Sequence, residues 1–159
     1  MRILGIDPGL TKTGVGIIDI KNNNPSYVYS VTIYSSTTQQ LSTRLNHFHH
    51  NIIAIANHFK PDISAIEEIF LNSNPMSSLK LGHARGALIL SLSLCNLEVR
   101  EYSTTQIKKT VTGVGRADKN QVKTMIKFLL PNAQFKTEDE ADALAVALTH
   151  FQQNQSYLK

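Results

Sequence analysis

Apolar side chains recur along the chain with two periods, and the changes of period mark its elements. Arg2 to Asp7 (RILGID) is a short β-branched run that closes on a carboxylate and is followed at once by the turn pair Pro8 and Gly9, which predicts a buried strand. Gly14 to Ile20 (GVGIIDI) and Tyr27 to Tyr34 (YVYSVTIY) are two more strands, separated by the Asn-rich residues Asn22 to Pro25, so the first 34 residues predict an antiparallel meander. Leu41, Leu45, Phe48, Ile52, Ile55 and Phe59 then recur three and four apart, giving one apolar stripe on a helix that ends near Pro61. Ile63 to Glu67 (ISAIE) is a further strand, again ending in a carboxylate, and Leu71 to Pro75 (LNSNP) is a polar loop.

From Ser77 to Leu94 the pattern is helical but apolar on more than one side, because Leu88, Ile89, Leu90, Leu92 and Leu94 cannot all face one way. Such a helix is either sandwiched in the core or lies in a subunit interface. Val99 to Ser103 predicts a short strand, Thr112 to Arg116 (TGVGR) a glycine-bearing loop, and Asn120 to Leu130 a short helix with Lys123 and Lys127 four apart. A final helix starts around Asp139 and carries Ala143, Leu144, Val146, Ala147 and Leu148. With no internal repeat or linker, the order of elements predicts an α/β fold, a mixed sheet with helices packed on its faces.

Composition narrows the class. A chain of 159 residues with 42% hydrophobic and 18% charged side chains is globular and has room for one domain. The longest strongly apolar stretch, Gly86 to Leu94, is broken by Ser91 and Ser93 and falls short of the ~20 residues that cross a bilayer, so no membrane span is expected. A lone Arg2 before a short run broken by Asp7 does not make a secretory signal, and the single Cys95 fits a reducing compartment; the expected location is cytoplasmic.

Charge is unevenly spread. The net +4 resolves into zero over residues 1–79, +6 over residues 80–127 and −2 over residues 128–159. A basic stretch beside an acidic end supplies what a nucleic-acid enzyme needs, cations for phosphates and carboxylates for metal, though charge alone does not separate this from a solvated basic face.

Acidic residues bracketed by apolar ones at strand ends need a reason, since most acids are exposed. Asp7 and Glu67 are two, and Asp139 and Asp142, three apart, share one face of the last helix at its first turn. If the two strands are neighbours and the helix end abuts them, four carboxylates converge where a divalent cation must neutralise them; Mg²⁺ suits such oxygen ligands and keeps waters that can act as nucleophile. Each acid alone could instead be a turn residue or a helix-dipole partner. Glu67 and Glu68 are adjacent on a strand, so only one can face inward, and composition does not choose between them. His47, His49 and His50 show no metal-ligand pattern.

The strings MRILGIDPGLTKTGVGIID, AIEEIF, SSLKLGHARG, TTQIKKTVTGVGRADKNQV and DEADALAVALTH closely resemble, in order and spacing over residues 1 to about 150, the RuvC family of Holliday-junction resolvases. The resemblance implies a ribonuclease-H-like mixed five-stranded sheet flanked by helices, a single nuclease domain over residues 1–152 with a short tail at 153–159, and a homodimer. It also implies Mg²⁺-dependent paired nicking of four-way junction DNA in recombination and repair, leaving 5′-phosphate and 3′-hydroxyl ends, with a RuvAB-type branch-migration complex as partner.

Carried over by position, the family's catalytic, metal-binding quartet falls on Asp7, Glu67, Asp139 and Asp142, which chooses Glu67 over Glu68. Two Mg²⁺ per subunit are implied, with Mn²⁺ as a substitute. The junction-contacting phenylalanine falls on Phe70 and two basic DNA contacts on Lys108 and Lys119. The chain departs from the family in Glu68 beside Glu67 and in Leu71 to Ser73 after Phe70, which bears on local DNA contacts. Taken without the resemblance, Phe70 is a candidate for core packing and the two lysines for plain surface residues. Asp7-Pro8-Gly9 with Thr11, Thr13 and Gly14 also resembles the phosphate loop of actin-like ATPases and sugar kinases, but those enzymes bind nucleotide between two domains. A junction-binding protein without nuclease activity is a further alternative, and it gains nothing from carboxylates that repel phosphate.

Overall fold

The computed structural model describes residues 1–69 and 74–155. Its elements run β1 (Arg2–Asp7), β2 (Lys12–Lys21), β3 (Asn24–Tyr34), α1 (Leu41–Phe59), β4 (Ile63–Glu67), α2 (Pro75–Leu94), β5 (Val99–Tyr102), α3 (Thr104–Thr112), α4 (Lys119–Leu129) and α5 (Glu138–Gln155). The strands form one sheet in the order β3-β2-β1-β4-β5. The pairs β1·β2 and β2·β3 are antiparallel, as the meander requires, whereas β1·β4 and β4·β5 are parallel. The β2–β3 connection is tighter than the Asn-rich stretch suggests. Asn22 and Asn23 both take positive φ (49° and 64°), the two-residue turn whose twist matches a hairpin, and β3 begins at once at Asn24.

Strand alternation sorts the core into two layers. On β1, Leu4 and Ile6 pack with Val15, Ile17, Ile66, Phe48, Ile52, Leu88 and Leu92 under α1 and α2. Ile3 on the opposite face packs with Ile18, Ala65 and the buried run Leu144 to Leu148 of α5, with Ile107 of α3 and Val122 and Ile126 of α4 joining from the side. Helix α5 lies so close to the sheet that only glycine fits beneath it. A Cβ on Gly5 would sit 2.2 Å from the Ala143 carbonyl oxygen, and one on Gly14 would sit 1.9 Å from that of Asp139. These two contacts fix the height of α5, and with it the position of its acidic first turn.

Helix α2 explains its own two-sided pattern. Asn74 caps it by accepting from the Met76 and Ser77 amides, Ala84, Leu88 and Leu92 face the core, and Met76, Leu79, Leu90 and Leu94 are each more than half exposed. Helix α3 was not anticipated from the apolar pattern, and α5 continues through Gln155, beyond the expected start of a tail at 153.

Candidate active site

Asp7 is the last residue of β1 and Glu67 the last of β4. The strands are parallel, with Ile3 beside Ile63 and Ile6 beside Ile66, and the same offset of 60 sets Asp7 beside Glu67. Alternation then decides between the two glutamates. Ala65 packs under α5 and Ile66 on the other face, so Glu67 points with Ala65 toward α5 and Glu68 points away, exposed. On the other side of Asp7, the antiparallel register places Gly14 opposite it, and Gly14 is the residue on which the Asp139 backbone rests. Sheet register and helix height together thus bring Asp7, Glu67, Asp139 and Asp142 to one end of the sheet.

The electrostatics record that convergence. Burial pushes the Asp7 carboxyl up to about 8, with the charges of Glu67, Asp142 and Asp139 adding to the shift in that order. Asp142 is pushed up to about 6, again by burial first and then by Glu67. Glu67 is also raised by burial, against the pull of hydrogen bonds from Thr104 and from Asp7 and the nearby Lys108 ammonium. Burial and the neighbouring carboxylates thus favour the protonated form of Asp7 beside Glu67. Among the described residues no group of three acidic, histidine or cysteine side chains is close enough together to hold a metal ion. The donor set fits a hard divalent ion all the same: all four donors are carboxylates, and their mutual repulsion is relieved only by positive charge or by protons.

Two devices hold the strand ends. The turn after Asp7 is tied by the Thr13 hydroxyl, which donates to the Gly9 carbonyl at 2.9 Å, and by Arg44, whose guanidinium donates to the Leu10 carbonyl at 2.6 Å and to the Ser35 hydroxyl at 3.0 Å. Glu67 is held by α3, where the Thr104 hydroxyl donates to its Oε1. Thr104 carries no signal in the apolar pattern, because its helix carries almost none. The available signal was the pair Ser103 and Gln106, whose side chains and backbone amides satisfy each other in a capping box. Lys108 lies four residues beyond Thr104 on α3, half-buried and near Glu67. Lys119 opens α4, exposed and within the field of Asp139 and Asp142. Phe70 lies outside the described residues, as do Leu71 to Ser73.

Comparison with known proteins decides the family. The family model described as crossover junction endodeoxyribonuclease RuvC matches residues 3–150. The chain belongs to the RuvC family. It is 46% identical over 150 residues to the RuvC of Xanthobacter autotrophicus, covering 94% of this chain and 89% of that one, and 48% identical over 150 residues to the RuvC of Paramagnetospirillum magneticum, covering 94% and 90%. A solved RuvC of Thermus thermophilus in complex with Holliday junction substrate superposes with a TM-score of 0.91 at 27% identity, covering 99% of this chain and 96% of that one. The five-stranded mixed sheet with its helices is the ribonuclease-H-like fold that the resemblance implied, and a nuclease dependent on a divalent metal follows from the family. No helix among the described residues is long and apolar enough to cross a membrane.

Proposed function

We propose that this member of the RuvC family resolves four-way DNA junctions by paired, symmetric nicks, with Asp7, Glu67, Asp139 and Asp142 as its catalytic carboxylates. The convergence of those four groups from β1, β4 and α5 carries the reading, because a cleft that repels phosphate is useful only when a cation joins it. Bound divalent ions, taken as two Mg²⁺ per subunit with Mn²⁺ as a substitute, would supply a water of lowered pKa and neutralise charge on the leaving oxygen. Asp7, beside Glu67 and within the field of the two α5 aspartates, would be the ligand shared by the ions. Glu67, braced by Thr104, and Asp142 would complete the set, and Asp139 would ligate an ion or orient the attacking water. Lys108 and Lys119 hold backbone phosphates, and cleavage leaves 5′-phosphate and 3′-hydroxyl ends. A synthetic four-way junction incubated with this protein and Mg²⁺ is expected to give two cuts at related positions while linear duplex stays intact; equal cutting of both DNAs would contradict the reading.

A two-fold junction calls for a two-fold enzyme. The outward leucines of α2 supply an apolar face for a homodimer. Leu90→Glu is expected to reduce a dimer near twice 17.7 kDa to a monomer in light scattering, with paired cutting lost; a dimer mass retained by that variant would place the interface elsewhere. Phe70, which follows the site in sequence, is proposed as a ring that stacks on unpaired junction bases. Phe70→Ala is expected to melt within a few degrees of wild type and to cut much more slowly, whereas a fall of more than about 8 °C would return it to the core. The chain is taken as one nuclease domain with a short tail, acting in the cytoplasm beside a RuvAB-type complex, a pairing supported by family membership.

A further inference from the structure

Lys119 and Lys123 stand one helical turn apart on α4, and both ammonium groups meet a single carboxylate. Nζ of Lys119 donates to Oε2 of Glu138 at 3.0 Å, and Nζ of Lys123 donates to Oε1 at 2.6 Å. Glu138 opens α5 immediately before Asp139, so the trio borders the acidic cleft. Its side chains stay open to solvent, at 65% for Lys119, 30% for Lys123 and 47% for Glu138. Two cations holding the two oxygens of one anion form a cradle for a phosphodiester, which presents two oxygens on one charge in the same way. In this chain a carboxylate fills the cradle.

We propose, resting on the nuclease reading above, that Glu138 is a specificity-determining residue that occupies the phosphate seat of Lys119 and Lys123, so that DNA gains these contacts only by displacing it. Exposed ion pairs are weak and screened by salt, so displacement is easy for a backbone already held at the rim by other contacts. A linear duplex has no such anchoring. It meets a trio of net charge +1 where the free lysine pair would offer +2. Glu138 thereby lowers affinity for bulk duplex more than affinity for the junction.

The test is a double-mutant cycle on the full chain. Binding of linear duplex and of a four-way junction is measured in chelator, where no cutting occurs, across a range of salt. The proteins are wild type, Glu138→Gln, the pair Lys119→Met with Lys123→Met, and all three changes together. Glu138→Gln is expected to tighten duplex binding about 5-fold at low salt and to steepen the log–log salt slope by about 1–2, at roughly 0.9 per phosphate contact, with a smaller gain on the junction. Removing the two lysines is expected to cost more in the Glu138→Gln background than in wild type. An equal cost in both backgrounds, or duplex binding unchanged or weakened by Glu138→Gln, would overturn the proposal. If wild type neither prefers nor cuts junctions, the nuclease reading falls instead, and the lysine cycle on duplex still decides what Glu138 does.

Discussion

Asp7→Asn is expected to abolish junction cleavage, retain junction binding, and make the metal-free protein more stable in mild alkali. The amide keeps the shape of the carboxyl and can still donate to Glu67, but it cannot supply the negative charge that the ligand role proposed for Asp7 needs. The stability gain follows from linkage. Asp7 at about 8 and Asp142 at about 6 bind protons more tightly in the folded protein than the ordinary carboxylate range near 4 of the unfolded chain. Their contribution to the metal-free fold is complete below pH ~4 and is lost as pH rises through about 6 and then about 8. Wild type without metal should therefore melt lower at pH 8.5 than at pH 6, and Asp7→Asn should remove much of that difference, melting about 5 °C above wild type at pH 8.5. Mg²⁺ at about 100 times its dissociation constant should add roughly 2.7 kcal/mol to wild type, some 5–10 °C, and little to the variant. Differential scanning calorimetry at the two pH values, with and without Mg²⁺, measures all of this. A variant that cuts at the wild-type rate, or that melts no higher than wild type at pH 8.5, would remove Asp7 from the centre of the site.

The second large effect comes from a residue without a side chain. Gly14→Ala places a Cβ 1.9 Å from the Asp139 carbonyl oxygen and 2.5 Å from its carbonyl carbon, so α5 must lift at its N-terminal turn or β2 must sink. Overpacking of this kind typically costs about 1–3 kcal/mol, which for a domain of this size lowers melting by several degrees. Activity should suffer more than stability, because the displaced turn carries Asp139 and Asp142, and a misplacement of about 1 Å in a catalytic group can cost ~100-fold in rate. Single-turnover cleavage at saturating protein should thus fall about 100-fold or more while duplex and junction affinities change little. Cleavage within a few-fold of wild type would show that the height of α5 over the sheet is not what sets the carboxylate geometry.

Much of this was legible in the sequence. The β1–β2–β3 meander, the single stripe of α1, the two-sided pattern of α2 and the carboxylates closing β1 and β4 all follow from period and residue type, because local pattern and tertiary environment agree there. Helix α3 did not show itself: Thr104, Thr105, Lys108, Lys109 and Thr110 leave only Ile107 and Val111 to mark an apolar side, and its capping box is a two-residue signal. The choice of Glu67 over Glu68 depends on which sheet face α5 covers, a fact of layering that no strand carries by itself. The need for glycine at positions 5 and 14 is likewise visible only once a helix lies on them. Lys119 reads as a free cation in the sequence, yet it meets Glu138, 19 residues away, across the start of α5.

The most direct test of the account is the fate of a supercoiled plasmid that extrudes a cruciform, incubated with the wild-type protein and Mg²⁺. In the proposed dimer, two carboxylate sites related by a two-fold axis would cut both strands within the lifetime of one complex, so the plasmid should pass straight to the linear form. Chelator or Asp7→Asn should leave it supercoiled. Accumulation of nicked circles by the wild-type protein, or linear product from a plasmid that carries no cruciform, would contradict the account.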